Sequence, residues 1–330
     1  TEAERRQAAQ DIRSSEDVLI ELLRNARDAG ARRILVALQR DGAQRRITVI
    51  DDGQGIPEAM HERIFEPRVT SKLDTAHMDK WGMHGRGMAL FSIRENAEEA
   101  LVAFSAPGKG SALRVRTDTG SLGERADQST FPRFELGEGG VAAMRGPRNL
   151  LRTCAEFALE HRGDCSVYCG SPAEVAATLL QMGMAVTTPT TRAFAPDPAD
   201  LPIIRWLACA ADPDELARRA QMAGLDLSER TARRVMNGEV RPLEPMLDLL
   251  ERQLRASQAK GKGPGRGRRA AASAGRPLRL ADDDRRELAQ GVARSFVPIA
   301  GRYYLEADVE PRITVGADAL TISIPLVPQD

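Results

Sequence analysis

Residues 15–30 read SEDVLIELLRNARDAG, and the rest of the chain is arranged around this stretch. Its apolar residues recur at three- and four-residue spacing, which is typical of a helix with one buried face. Ser15 can cap the N-terminus of that helix. Glu21, Asn25 and Asp28 fall on a second common face at i, i+4 and i+7. The pattern predicts a core helix that carries two acids and an amide on one side, although solvated helices can show the same spacing.

A second motif follows two β-rich runs and reads DDGQGIP over residues 51–57. Asp51 stands at the predicted end of a strand, and Gly53 and Gly55 follow it. Glycines at these positions allow a tight turn and let a flat ligand approach the carboxylate. The motif therefore indicates a binding wall built around Asp51.

Two glycine-rich segments complete the pattern. Residues 81–93 read WGMHGRGMALFSI, in which three glycines precede an apolar helical run, so backbone N–H groups can face phosphate oxygens. Residues 108–117 read GKGSALRVRT and predict a glycine turn that enters a strand. Phosphoryl transfer needs positioning and charge neutralisation more than a nucleophile, and these residue types can supply both.

In order and spacing, the motifs E-x-x-x-N-x-x-D-A, D-x-G-x-G-I and G-x-x-G-x-G resemble those of the Bergerat-fold ATPases. This is the GHKL superfamily of DNA gyrase, the large heat-shock chaperone, histidine kinases and MutL. The resemblance covers residues 14–118. It implies an α/β sandwich domain that binds ATP with Mg²⁺ and hydrolyses the ATP.

The resemblance also implies a role for each motif residue. Glu21 corresponds to the general base that orients the attacking water, and Asn25 corresponds to the Mg²⁺ ligand. Asp28 corresponds to the acid that closes the helix motif, near the nucleotide or a glycine turn. Asp51 corresponds to the carboxylate that accepts the adenine amino group. The other implied nucleotide positions are Gly53 and Gly55 beside the adenine, the lid glycines Gly82, Gly85 and Gly87, and the hydroxyl residue Ser111.

The segment between the second and third motifs predicts a short lid over the nucleotide. Thr70-Ser71-Lys72 resembles the mismatch-repair branch, whereas the spacing from Gly82 to Gly87 resembles the kinase and type IIB topoisomerase branches. The branch therefore stays open. Lys72 can reach a phosphate from this lid, with an ordinary surface lysine as the alternative.

Composition limits the class of protein without naming a partner. The chain has 330 residues, 42% of them hydrophobic and 28% charged, with a net charge of zero, which is typical of a globular protein of more than one domain. The four cysteines form no C-x-x-C pair, so reduced thiols in a cytoplasmic protein are expected. A polar N-terminus and the lack of a long apolar run predict neither a signal peptide nor a membrane span.

The predicted fold class is α/β, with the Bergerat-type sandwich first, then a mostly helical region and a small α+β tail. Changes in composition divide the chain into five segments. They are an ATPase domain (1–119), an α/β connecting region (120–211), a helical region (212–256), a basic flexible linker (257–278) and the tail (279–330).

Residues 212–256 resemble a helix-turn-helix module, or the helix-two-turn-helix module of type IIB topoisomerases. Arg230, Arg233 and Arg234 on its second helix can contact phosphates or guanine edges. Three helices that merely pack together are the structural alternative.

Charge in the same part of the chain favours nucleic acid. Between Asp212 and Leu280 there are 15 Lys and Arg against nine Asp and Glu. The linker arginines Arg266, Arg268 and Arg269 lie in a run with no acidic residue, which is typical of an electrostatic contact with phosphates. A simple soluble tether is the alternative for this run.

These features predict an ATP-gated protein that associates with DNA, in which nucleotide closes the lid and pairs two protomers. An alternative is an ATPase subunit that resembles the type IIB topoisomerase B subunit or MutL. A different class is a serine/threonine protein kinase of the anti-sigma type, or a chaperone-like ATPase, whose helices bind protein.

Overall fold

A mixed sheet with helices on both faces organises this computed structural model. The structure describes residues 11–69, 77–79, 82–84, 88–136, 142–193, 197, 200–261, 282–302, 306–309, 311–315, 320–325 and 327. It divides into two compact units between Gly263 and Pro264.

The first two strands of the described residues form an antiparallel pair, and the second of them ends at Asp51, where the second motif begins. They are β1 (Arg33–Asp41), β2 (Gln44–Asp51), β3 (His77–Asp79), β4 (Gly82–His84), β5 (Glu99–Ser105), β6 (Ser111–Asp118), β7 (Arg133–Leu136), β8 (Ala142–Arg145), β9 (Ser166–Gly170), β10 (Arg312–Val315) and β11 (Leu320–Ser323). The five-stranded sheet has the order β5-β6-β2-β1-β9. Its neighbours pair antiparallel except β1 and β9, which run parallel.

The helices connect and cover these strands. They are α1 (Ser15–Asp28), α2 (Ala89–Asn96), α3 (Leu150–Glu160), α4 (Pro172–Val186), α5 (Pro189–Ala193), α6 (Pro213–Met222), α7 (Glu229–Met236), α8 (Met246–Gly261) and α9 (Asp282–Arg302). Short 3-10 turns lie at Glu58–Met60, Arg63–Phe65, Ile203–Arg205 and Leu207–Cys209. Within the described ranges, no helix is long and apolar enough to cross a membrane.

The predicted helix around the first motif is present as α1, with one correction at its start. Ser14, not Ser15, is the N-cap, and its hydroxyl accepts a hydrogen bond from the backbone N–H of Asp17. The two serines are adjacent and equally able to cap, so sequence alone does not separate them. Ser15 is instead the first residue of α1 and is fully buried.

The sheet buries both of its faces because alternate residues of a strand point to opposite sides. In β1, Ile34 and Val36 belong to one apolar core, whereas Leu35 and Ala37 belong to the other. The first core contains residues of α1, α3 and α8. The second core contains residues of α4, the segment 201–209, α6 and α7.

The boundaries of the compact units differ from the predicted segment boundaries. β9 comes from the predicted connecting region and pairs with β1, and α6 and α7 from the predicted helical region cover the back of the same sheet. Neither residue 119 nor residue 211 therefore marks a boundary between compact units. The division of the chain into five segments stays a prediction.

The third helix of the predicted three-helix module joins a different apolar core from the first two. α6 and α7 pack against each other, and Ala232 and Val235 of α7 belong to the second core. Met246 and Leu250 of α8 belong to the first core, where α8 packs against α3, β7 and β9. The amphipathic pattern of α8 predicts a buried face but not which side of the sheet it covers.

The second compact unit contains α9 and an antiparallel pair formed by β10 and β11. Phe296 and Ala300 are buried on α9. A helix followed by a hairpin is the predicted layout of the tail, and with the α/β sheet of the first unit it confirms the predicted fold class.

Candidate functional site

Asp51 and Ser111 form the floor of the candidate site. Asp51 is the last residue of β2, and the antiparallel register places it opposite Ser111, the first residue of β6. The Ser111 hydroxyl donates to one carboxylate oxygen of Asp51, and the backbone N–H of Gly53 donates to the other at 2.8 Å. The structure therefore brings together two of the predicted adenine-side residues.

The environment of Asp51 raises its pKa. The residue is only 1% exposed, and burial raises the pKa of its carboxyl from 3.8 to about 6. The hydrogen bonds from Ser111 and Gly53 act in the opposite direction, and the neighbouring charge of Asp52 adds to the rise. Since bulk water is largely excluded, the charged form of this carboxyl depends on the hydrogen bonds that the protein donates to it.

The two glycines after Asp51 allow backbone contacts that a side chain would prevent. A Cβ at Gly53 would lie 2.7 Å from the Asp51 Oδ1 atom and 2.9 Å from the carbonyl oxygen of Ala29. Gly55 has a φ of +72°, and a Cβ there would lie 1.9 Å from the carbonyl oxygen of Ala106. Both glycines are therefore required by close approach of the backbone.

The Asp51 loop is attached to the C-terminal end of α1. The backbone N–H of Gln54 donates to the carbonyl of Ala29 at 2.9 Å. Asp52 accepts hydrogen bonds from the backbone N–H groups of Arg32 and Arg33, each at 2.8 Å. The sequence analysis did not predict that Asp52 accepts these hydrogen bonds. Its position directly after a strand was the sequence feature that could have indicated it. The helix motif and the strand-end motif thus share one rim of the sheet.

On α1, the two acidic residues of the predicted polar face form ion pairs that the sequence analysis did not predict. Glu21 forms an ion pair with Arg24, whose side chain is only 4% exposed. Asp28 forms an ion pair with Arg27 at 2.7 Å. Arg24 follows Glu21 at i+3, a spacing typical of helical ion pairs, so the sequence did contain this signal.

Asn25 differs from its two acidic neighbours. Its Nδ2 atom is buried and has no hydrogen-bond partner among the residues that the structure describes. A buried polar group without a protein partner requires an explanation, and a bound ligand is one. The two ends of a carboxamide can exchange places by rotation, so the same group can present an oxygen to a cation.

The predicted lid is described only in part. Gly82 lies in β4, where it pairs with Asp79 of β3. Gly85, Gly87 and Lys72 lie outside the described residues. The helix predicted after these glycines is present as α2, and its N-cap residue Met88 makes no side-chain hydrogen bond to the first turn. Met88 therefore leaves the N-terminal N–H groups of α2 without a cap from its own side chain, and such groups can donate to an anion.

The predicted nucleic-acid arginines on α7 are Arg230, Arg233 and Arg234, of which the last two form exposed ion pairs. Arg233 pairs with Glu229 at 2.6 Å, and Arg234 pairs with Glu239 at 3.2 Å. The linker residues Arg266, Arg268 and Arg269 lie outside the described residues. Neither of these two ion pairs involves a residue of the Asp51 site.

The turn that joins α6 to α7 packs against the back of the sheet. The Thr48 hydroxyl of β2 donates to the carbonyl of Gly224 at 2.9 Å, and both groups are buried. Asp226 forms ion pairs with Arg46 at 3.1 Å and with Arg114 at 3.6 Å. Strands β2 and β6, which carry Asp51 and Ser111, thus also hold this turn.

Comparison with known proteins matches the first part of the chain to one family. Residues 10–121 match the family described as "Histidine kinase-, DNA gyrase B-, and HSP90-like ATPase". The DNA mismatch repair protein MutL of Acidiphilium cryptum is 44% identical over 106 residues, which are 32% of this chain and 18% of that protein. MutL of Thermus aquaticus is 46% identical over 140 residues, which are 42% of this chain and 20% of that protein.

The chain thus spans about a fifth of the length of these relatives. A solved structure described as "Crystal Structure of N terminal domain of a DNA repair protein" aligns with 51% of this chain and 52% of its own at a TM-score of 0.29 and 17% identity. The family match confirms the predicted resemblance: residues 10–121 match the model of the histidine kinase-, DNA gyrase B- and HSP90-like ATPases.

Proposed function

We propose that the first compact unit binds ATP, with the adenine against Asp51. The observation that carries this proposal is the buried Asp51 carboxylate, held between the Ser111 hydroxyl and the Gly53 N–H at the end of two paired strands. An adenine amino group is a neutral donor that can reach a carboxylate oxygen at the rim of such a wall. Above a pH of about 6 the carboxyl is ionised and acts only as an acceptor.

The phosphates and Mg²⁺ are assigned to the next part of the same rim. Among the described residues there is no cluster of three or more His, Cys, Asp or Glu that could hold a metal ion. Mg²⁺ often takes one or two protein ligands and completes its shell with phosphate oxygens and water. The buried carboxamide of Asn25 fits that donor set. When bound, Mg²⁺ would neutralise phosphate charge. The N-terminus of α2 and the glycines Gly82, Gly85 and Gly87 would donate N–H groups to the phosphates.

Hydrolysis is assigned to Glu21. Its side chain is 17% exposed, so a water molecule can reach it, and the ion pair with Arg24 orients it. Glu21 would accept a proton from the water that attacks the terminal phosphate. Turnover is expected to be slow, since lid closure and pairing of two protomers would precede chemistry.

Isothermal titration calorimetry of the full chain with ATP and Mg²⁺ tests the binding proposal. We expect one site per chain for the wild type and a weakened or absent site for Asp51→Asn. Asp226→Asn, which changes a carboxylate on the back of the same sheet, is the matched control and is expected to bind ATP like the wild type. Equal ATP affinity in Asp51→Asn and the wild type would refute the adenine assignment.

We further propose that nucleotide-dependent closure and homodimerisation gate binding to DNA. This part is supported by the similarity to relatives named DNA mismatch repair protein MutL and by the exposed arginines Arg233 and Arg234 of α7. A cytoplasmic location belongs to the same proposal, and the four buried cysteines, which are free thiols, are consistent with it. Duplex affinity measured without nucleotide, with ADP and with a non-hydrolysable ATP analogue, at one salt concentration, tests the coupling. Equal affinity in all three states would contradict it.

A different class of function has a separate test. An anti-sigma-type protein kinase transfers phosphate to a protein, and a chaperone-like ATPase binds protein without DNA. Incubation of the chain with γ-labelled ATP and cell extract distinguishes the first of these by labelled protein. Within the nucleic-acid class, a MutL-like subunit is favoured over a type IIB topoisomerase-like subunit, because the sequence similarity is to MutL.

A further inference from the structure

A short segment behind the sheet contacts the turn that supports the candidate adenine wall. The 3-10 turn Ile203–Arg205 comes from the predicted connecting region and lies in the second core. The backbone N–H of Ile203 donates to the carbonyl of Lys109 at 2.9 Å. The Ile203 side chain is only 1% exposed. Residue 203 therefore touches the turn over residues 106–110 through its backbone, and its side chain is packed in the core beside that turn.

Gly110 is the point where this contact reaches Asp51. Its φ is +82°, and a Cβ built there would lie 2.2 Å from the carbonyl oxygen of Asp51 and 3.0 Å from the Cγ2 atom of Ile203. The backbone of Gly110 is thus enclosed between Asp51 and Ile203. Ser111, which donates to the Asp51 carboxylate, is the next residue in the chain.

The same turn is tied to the loop in front of it. The N–H of Gly108 donates to the carbonyl of Gln54 at 2.7 Å. The Ser105 hydroxyl donates to the carbonyl of Gly110 at 3.0 Å and accepts a hydrogen bond from the N–H of Ile56 at 2.7 Å. A shift of the turn away from Ile203 would therefore move both the Asp51 loop and the strand that begins at residue 111.

The segment that carries Ile203 is itself held in place by Trp206, which is fully buried. The indole N–H of Trp206 donates to the carbonyl of Leu201 at 3.1 Å, and its ring meets Phe104 of β5 edge to face at 4.2 Å. Arg219 of α6 donates to the carbonyl of Trp206 at 3.2 Å. The contacts of Trp206 therefore hold the segment that places Ile203 beside Gly110.

We propose that Ile203 is a positioning residue for adenine recognition, which sets the Asp51–Ser111 geometry from behind through Gly110. This inference rests on the proposed ATP function and adds a residue that no nucleotide motif contains. Hydrogen bonds weaken steeply with poor angle and distance, so a small displacement of Asp51 affects the amino-group contact more than the rest of the nucleotide.

The test measures the preference of the full chain for ATP over purine riboside triphosphate, which lacks the adenine amino group. Both dissociation constants are measured by calorimetry with Mg²⁺. We expect Ile203→Ala to lower this preference about 3- to 10-fold, within the range for loss of one hydrogen bond, while affinity for the analogue changes little.

Two further variants separate shape from stability. Ile203→Val keeps the Cγ2 atom that faces Gly110, and we expect it to retain the wild-type preference. Ile203→Leu keeps the side-chain volume but moves the branch, and we expect it to lose the preference even if Ile203→Ala does not fold. Leu216→Ala is the matched control, because Leu216 is fully buried in the same core on α6 and loses the same number of carbons.

The outcomes are distinct. An unchanged preference in folded Ile203→Leu, or an equal loss in Leu216→Ala, overturns the role of Ile203 and leaves ATP binding intact. A wild-type chain that binds neither triphosphate overturns the proposed function together with this inference.

Discussion

Asp51 and Ser111 face each other across β2 and β6, and the Ser111 hydroxyl donates to the Asp51 carboxylate. The pair joins two motifs that are well separated in the sequence. The Gly53 N–H donates a hydrogen bond to the other carboxylate oxygen of Asp51. A ligand that approaches Asp51 therefore meets a carboxylate whose two oxygens are already oriented by the protein.

Asp51→Asn is expected to weaken ATP binding by about 10- to 150-fold. The amide can present its NH₂ group to the adenine amino group and loses a charge-assisted hydrogen bond worth about 1.5 to 3 kcal/mol. Calorimetry at a pH above 7 measures the change, with the Asp226→Asn variant as the control. ATP affinity within about twofold of the wild type, less than the loss of one hydrogen bond, would contradict the assignment.

ATP affinity is expected to rise as the pH increases through about 6, where the Asp51 carboxyl loses its proton. The pKa is raised in the folded protein, so below that pH the carboxyl is protonated and no longer a charge-assisted acceptor. The nucleotide's own protonation also affects binding, but it is common to every variant. The measurement is therefore the difference in ATP affinity between the wild type and Asp51→Asn at each pH. A difference that stays constant across the pH range would argue against ionisation of Asp51 as the cause.

Glu21→Ala is expected to bind ATP and to lower turnover by about 10²- to 10⁴-fold, the usual contribution of a positioned base. Glu21→Gln keeps the side-chain size and should lose turnover to a similar degree. Single-turnover phosphate release measures the rate. In the same assay set, Asn25→Ala should lose the Mg²⁺-dependent part of ATP binding. Full turnover in Glu21→Gln would place the base elsewhere.

Gly55→Ala is expected to lower the free energy of unfolding by much more than the backbone strain of a left-handed φ alone would. Its Cβ would lie 1.9 Å from the Ala106 carbonyl oxygen, whereas a Cβ at Gly42, with a φ of +57°, meets nothing within 4 Å. We expect Gly42→Ala to cost about 1 to 2 kcal/mol from backbone strain and Gly55→Ala to exceed about 4 kcal/mol. Urea unfolding of both variants checks this, and similar midpoints would show that the structure around Ala106 can relax.

Arginines of the linker and of α7 are expected to affect DNA binding differently. Replacing Arg266, Arg268 and Arg269 with alanine should weaken binding to all duplexes alike and lower the salt dependence by about 0.9 for each phosphate contact that the substitutions remove. Arg233→Ala should cost about 1 to 3 kcal/mol on a preferred site and little on random DNA. Fluorescence anisotropy at several salt concentrations measures both. The absence of any duplex binding tighter than about 10⁻⁴ M would favour the protein-binding class.

The placement of the motif residues on their helix and turn could be predicted from the sequence because each motif is local. Glu21, Asn25 and Asp28 lie within one helix, and the glycines that follow Asp51 lie within one turn, so spacing alone places them. The pairing of Asp51 with Ser111 is different, since it depends on the register of two strands. Only the resemblance to a family put those two residues on the same ligand.

The elements that pack on the back of the sheet could not be predicted in the same way. Ile203 contacts Lys109 and Gly110 across a long sequence separation, and no periodicity in its proline-rich surroundings marks that contact. Likewise, the apolar face of α8 indicates that the helix is buried but not which core it joins. Local patterns predict that a face is covered, while the identity of the covering element depends on the whole chain.

The doubly covered sheet also limits how this chain can be divided for expression. A fragment ending at Asp118 would contain every nucleotide motif, yet it would expose Leu35, Ile50 and Ala112 to water and leave one edge of β1 without β9. An exposed apolar face beside an open strand edge promotes self-association. The shortest fragment that retains the site and keeps both faces covered should therefore run through the end of α8.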